Sequence, residues 1–209
     1  MKSTINHVQN YLNGVRETVA SLAAEPIDEV VEILLDCAQN NHKVFIFGNG
    51  GSASTASHFA CDLSKNTIVP GAPRFKVIAL TDNMPLITAW ANDTAYDNVF
   101  AEQLLPLVEA DDVVIGISCS GNSPNVLNAM KVARAAGAQT IAFTGDIGGR
   151  LQDVVDLCIK APSPKIEVQE DIHLMLEHCI CSTVREELLT RNFAFIPADE
   201  EMVPVRRDR

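Results

Sequence analysis

Basic residues are scarce in this chain: 16 lysines and arginines stand against 27 aspartates and glutamates in 209 residues, a formal net charge of −11. A field of that sign opposes a phosphate backbone, so nucleic acid is not expected as a partner, and direct membrane binding is similarly disfavoured. Long apolar runs are missing too. None approaches the roughly 20 residues of a membrane-spanning helix, and no charged start followed by an apolar core marks a secretory leader. The expected setting is the cytoplasm. Paired metal-finger spacing is absent among the six cysteines, Cys37, Cys61, Cys119, Cys158, Cys179 and Cys181, which lie in apolar or helical segments and read mostly as buried thiols. There is no internal repeat, low-complexity segment or dividing linker.

What is present is ordinary globular material, 47% hydrophobic and 21% charged, enough for a sizeable core. Apolar residues at Ile5, Val8, Leu12, Val15, Val19 and Leu22 repeat with a helical period over about 4–22, and Pro26 starts a second helix through about Ala38. A regular alternation follows. Strands are expected at 44–47, 76–80, 113–117, 140–144 and 154–160. Helices are expected at 52–64, 125–136 and 167–189, with helical material between Pro85 and Val108 and a short turn at 148–152. Such repetition predicts an α/β fold: a doubly wound, five-stranded parallel sheet, Rossmann-like and flanked by helices, with ligands at the carboxyl ends of the strands. Residues 1–190 form one domain in this reading. The two leading helices, 1–40, would bury their apolar stripes on a neighbouring subunit, and 191–209 form a tail.

Two small-residue turns fall where strands hand over to helices: Gly48-Asn49-Gly50-Gly51-Ser52 and Ser118-Cys119-Ser120-Gly121-Asn122-Ser123. A helix's first turn carries unpaired N–H groups and partial positive charge, and small residues let an anion approach closely. Neither turn has the P-loop lysine or the spaced dinucleotide fingerprint, so a small phosphorylated metabolite fits better than a nucleotide. Cys119 reads either as a small residue filling the anion loop or as a thiol activated by a helix N-terminus.

His58 and Asp62 are four apart in the segment after the first turn and would share a helix face. On the closing helix Glu170 and His178 are eight apart, close to one face, with His173 and Glu177 at other angles. Converging carboxylates and imidazoles can hold a divalent ion or move a proton near neutral pH. A His-x-x-x-Asp pair is ordinarily just a surface pair, but this one lies within two turns of an anion loop. Asn92 and Asp93 add polar groups after the piece beginning at Pro85, where Asn-Asp also commonly makes a plain turn.

Together the Gly-Asn-Gly-Gly-Ser turn with its histidine six residues on, the serine-rich turn, and the closing helix with Asp171-Ile172-His173 and His178 resemble the SIS (sugar isomerase) domain, within it the phosphoheptose isomerases. The resemblance runs from the first helix to about Leu189. It implies a homotetrameric aldose–ketose isomerase that converts sedoheptulose 7-phosphate to a manno-series heptose 7-phosphate through a cis-enediolate, with active sites between subunits. By position, Asn49, Gly50, Gly51, Ser52, Ser118, Cys119, Ser120 and Ser123, with Asn92 and Asp93, would bind substrate. Asp62 and His178 would be the catalytic base and acid. Zinc would be held by His58, Asp62, Glu170 and His178, with Asp62 and Glu170 also near substrate. Two positions depart from the family pattern: Asp62 replaces a usual glutamate, and Glu170 replaces a glutamine, although Gln169 is one residue away. Relatives with this fold that bind a replication initiator, or that only sense sugar phosphates, form the alternative reading.

Overall fold

The computed structural model describes residues 2–191. Two helices, α1 (Lys2–Ala20) and α2 (Glu25–Gln39), precede the first strand, β1 (Lys43–Gly48). Then follow α3 (Gly51–Lys65), β2 (Lys76–Ala79), α4 (Met84–Asp93), the short α5 (Ala101–Leu104), β3 (Val113–Ser118), α6 (Pro124–Ala135), β4 (Gln139–Gly145), β5 (Leu157–Ala161) and the long α7 (Ile166–Thr190). The five strands are all parallel, in the order β2-β1-β3-β4-β5.

Parallel strands covered on both faces need apolar residues on both, and β1 and β3 are buried almost throughout. Alternation then sorts side chains by face. Val44 and Ile46, with Ile115, Ile117, Ile141 and Phe143, pack under α2, α3 and α7. Phe45 and Phe47, with Val114 and Ala142, pack under α5 and α6.

Two expected elements differ in extent. The fifth strand begins at Leu157 rather than 154, because Val154 closes a 3₁₀ turn onto Leu151 and the Asp156 carboxylate accepts from the Thr140 backbone N–H at 2.9 Å. The helical stretch expected from Pro85 to Val108 is broken after Asp93, where Ala95 is extended and Tyr96–Asn98 makes a 3₁₀ turn before α5. α1 crosses α7, with the Tyr11 hydroxyl donating to Asp171, and leaves Ile5, Val8 and Leu12 exposed. No helix among the described residues is long and apolar enough to cross a membrane. The expected tail lies almost wholly outside the described residues.

Candidate active site

Strand order reverses between β1 and β3, which lie side by side with Gly48 opposite Ile117. The turns leaving them therefore open into one crevice at the carboxyl ends of the strands. The two turns are clipped together by side chains: Asn49 and Asn125 exchange a reciprocal pair of amide hydrogen bonds, 2.9 Å each, and the Tyr96 hydroxyl donates to Asn49 Oδ1 at 2.9 Å. Asn125 is almost fully buried, in the first turn of α6. Sequence reasoning missed it and Tyr96. The Ser-Pro start of a helix hinted at Asn125, whereas nothing in the spacing pointed to Tyr96.

A pocket of about 220 Å³ is lined by Asn49, Ser52, Ser118, Cys119, Ser120, Ser123 and Glu170. Ser118 Oγ lies 3.1 Å from Ser123 Oγ and 3.5 Å from Ser120 Oγ. Gly50, at φ +58°, turns the chain into α3, and the Glu170 carboxylate lies against the bare backbone of Gly51, where a Cβ would meet it. With the first turns of α3 and α6 at its rim, the pocket has the hydroxyls, N–H groups and dipoles that bind an anion. Asn92 and Asp93 are not in its lining. They stand exposed on the last turn of α4, hydrogen-bonded to each other at 2.8 Å, one turn before Tyr96.

Behind the pocket His173 is fully buried, its Nε2 3.0 Å from the Thr144 carbonyl and its Nδ1 4.0 Å from Cys119 Sγ. Burial lowers the imidazole's pKa, so the ring is neutral, with Nε2–H donating to Thr144. Burial, and then the nearby Glu170 carboxylate, raise the Cys119 thiol. That favours the plain reading of Cys119 as a protonated loop-filling residue over an activated nucleophile.

Further along the same helices lies a second group. His58, Asp62, Glu177 and His178 each offer a donor atom within 4.8 Å of the others. His58 Nε2 is 3.8 Å from Asp62 Oδ1 and 3.9 Å from Glu177 Oε1, and His178 Nε2 is 3.4 Å from Glu177 Oε2. The two imidazoles meet edge to face at 4.9 Å. Burial, reinforced by Asp62, pushes the Glu177 carboxyl up to about 8, and neither of its oxygens has a hydrogen-bond partner. Two imidazoles and two carboxylates around such orphaned oxygens fit a divalent ion. Asp62 and His178 line a groove of about 650 Å³ that Lys65, Asn66 and Arg185 also line.

Three of the four expected ligands, His58, Asp62 and His178, are thus brought together, and Glu170 is not. Eight residues of helix separate Glu170 from His178 by about 12 Å along the axis. Its carboxylate turns to the start of α3, and Glu177, next to His178, lies in the cluster instead.

Residues 7–145 match the family model described as the SIS domain. The chain is 39% identical over 193 residues to the phosphoheptose isomerase of Aliarcobacter butzleri, an alignment that covers 90% of this chain and 99% of that protein. The chain belongs to the SIS domain family, in its phosphoheptose isomerase branch. The phosphoheptose isomerase of Akkermansia muciniphila is 33% identical, over 87% of this chain and 97% of its own. Among solved structures, phosphoheptose isomerase from Neisseria gonorrhoeae superposes with a TM-score of 0.80 at 32% identity, covering 88% of this chain and 98% of that one. The Francisella tularensis enzyme gives 0.81 at 30%, covering 89% and 100%. In this SIS domain the serine-rich turn after β3 and the glycine turn after β1 form the cradle, and α3 and α7 carry the titratable cluster.

Proposed function

We propose that the protein is an aldose–ketose isomerase that converts sedoheptulose 7-phosphate to D-glycero-D-manno-heptose 7-phosphate. One observation carries this reading: an anion cradle, to which α3 and α7 contribute Ser52 and Glu170, lies beside an acid/base cluster further along the same two helices, in a chain whose relatives bear the phosphoheptose isomerase name. In this reading Asn49, Gly50, Gly51, Ser52, Ser118, Cys119, Ser120 and Ser123 hold the phosphate. Glu170, Asn92 and Asp93 address the sugar hydroxyls, which a carboxylate at the rim can accept from.

Isomerisation moves one proton between neighbouring carbons. Asp62 removes the proton from the carbon beside the carbonyl, the C–H electron pair becomes the new C=C bond while the carbonyl π pair moves onto its oxygen, and the cis-enediolate so formed takes a proton on that oxygen from His178. Asp62 then returns its proton to the former carbonyl carbon, while the hydroxyl on the other carbon gives its proton to His178 and becomes the new carbonyl. A divalent ion at the cluster, zinc in this reading, would polarise the carbonyl when bound. The proposed assembly is a homotetramer, supported by the apolar stripe of α1. Six unpaired cysteines suit the reducing cytoplasm.

An NMR time course with sedoheptulose 7-phosphate, run with zinc and after chelation, tests the reading. Conversion to an aldose phosphate is expected, with loss of turnover in Asp62→Asn and retention of its phosphate-dependent thermal stabilisation. Stabilisation of the wild-type protein without any conversion would leave a sugar-phosphate binder rather than an enzyme.

A further inference from the structure

Asn49 lines the pocket, and a primary amide there could turn either its oxygen or its NH2 to a ligand. The two choices have opposite effects, because an oxygen repels an anion and an N–H binds it. Hydrogen bonds behind the pocket make the choice. The backbone N–H of Val126, which can only donate, donates to Asn125 Oδ1 at 3.0 Å. That bond fixes which end of the Asn125 amide is oxygen, and through it the orientation of the amide facing it. Asn125 Nδ2 donates to Asn49 Oδ1, and Asn49 Nδ2 donates to Asn125 Oδ1, at 2.9 Å each. The Tyr96 hydroxyl, from the 3₁₀ turn after α4, fills the remaining lone pair of Asn49 Oδ1 at 2.9 Å. Both acceptor positions of Asn49 are therefore occupied, and one N–H of its Nδ2 is left without a partner among the described residues.

We infer that Asn125 and Tyr96 are positioning residues that commit Asn49 to present a hydrogen-bond donor, and only a donor, to an oxygen of the bound phosphate. This rests on the anion-cradle reading given above and not on turnover. Asn125 is 1% exposed and neither it nor Tyr96 belongs to the lining of the pocket, so both act through Asn49 rather than on the ligand. The three side chains come from three segments: the turn after β1, the first turn of α6 and the 3₁₀ turn. Their bonds orient the amide before a ligand arrives, which reduces the ordering that binding requires.

Calorimetric titration of the full-length protein with inorganic phosphate tests this assignment without any reaction. Tyr96→Phe, at an exposed position, is expected to weaken binding about 2–12-fold, the range of one hydrogen bond. Asn125→Ala should weaken it further, and Tyr96→Phe carries the test alone should Asn125→Ala fail to fold. In an Asn49→Ala background neither substitution should cause any additional loss, because both act through that amide. With asparagine labelled by nitrogen-15, saturating phosphate should shift one of the two Asn49 Nδ2 proton resonances more than the other, which a role confined to tying the two turns together would not produce. Equal losses with and without Asn49, or Asn49 resonances that phosphate leaves unmoved, would overturn the assignment while leaving the cradle intact. A wild-type protein that binds no phosphate would overturn the cradle reading, and this inference with it. The expected pattern in a protein that does not turn over sedoheptulose 7-phosphate would sustain the inference and overturn the isomerase reading alone.

Discussion

His173 ties the serine-rich turn to β4 from inside the core, and its neutrality has a cost in acid. Its folded-state pKa lies below the ordinary 6.5 because burial disfavours the cation, so below about pH 6.5 the unfolded chain binds a proton that the folded chain does not. Stability is therefore lost as pH falls through that value. Melting temperature followed downward from about pH 7.5 should decline, and His173→Asn should flatten that decline between about pH 6.5 and 5 whatever it does to absolute stability. Equal slopes in both proteins would remove His173 from the acid response. At this scale the His58–Asp62 pair could be read from the sequence because four residues of helix fix its geometry. Glu177 could not be, since its partnership with His58 depends on how α7 packs against α3. The orientation of Glu170 likewise depends on the bare backbone of Gly51 opposite it.

α1 presents two stripes. Tyr11 and Val15 pack on its own domain, while Ile5, Val8 and Leu12 are more than half exposed. Burying a leucine side chain is worth roughly 1.5–3 kcal/mol, so a second copy seated there would be held partly by Leu12. Leu12→Asp is expected to lower the mass measured by light scattering while leaving far-UV circular dichroism unchanged. An unaltered mass would move the subunit contact elsewhere. The amphipathic period of α1 was legible because 3.6-residue repetition is local. The break after Asp93 and the late start of β5 were not, because they depend on the Trp90–Thr94 end of α4 and on Asp156 capping Thr140 across 16 residues.

Over the whole molecule, alternating strand and helix patterns made the parallel sheet legible, but the neighbour relation of β1 and β3 joins turns 70 residues apart in the sequence and emerges only from the fold. Because both turns belong to a buried, central pair of strands, a ligand bridging them stabilises the entire domain. At 100 times its dissociation constant it should contribute about 2.7 kcal/mol, a rise of roughly 5–10 °C in melting temperature for a domain of this size. Sedoheptulose 7-phosphate should give this rise, and Ser118→Ala with Ser120→Ala should remove most of it; a full rise in the double variant would place the anion elsewhere. The pairing of α3 with α7 has one more result. Gly51 faces Glu170 at the cradle, and His58 faces Glu177 at the cluster, so the interval is seven residues on each helix, about 10 Å of rise. Two parallel rods graduated alike set a length: a sugar phosphate held at the cradle is expected to reach the cluster only if it spans that interval, so a triose phosphate should bind without being turned over.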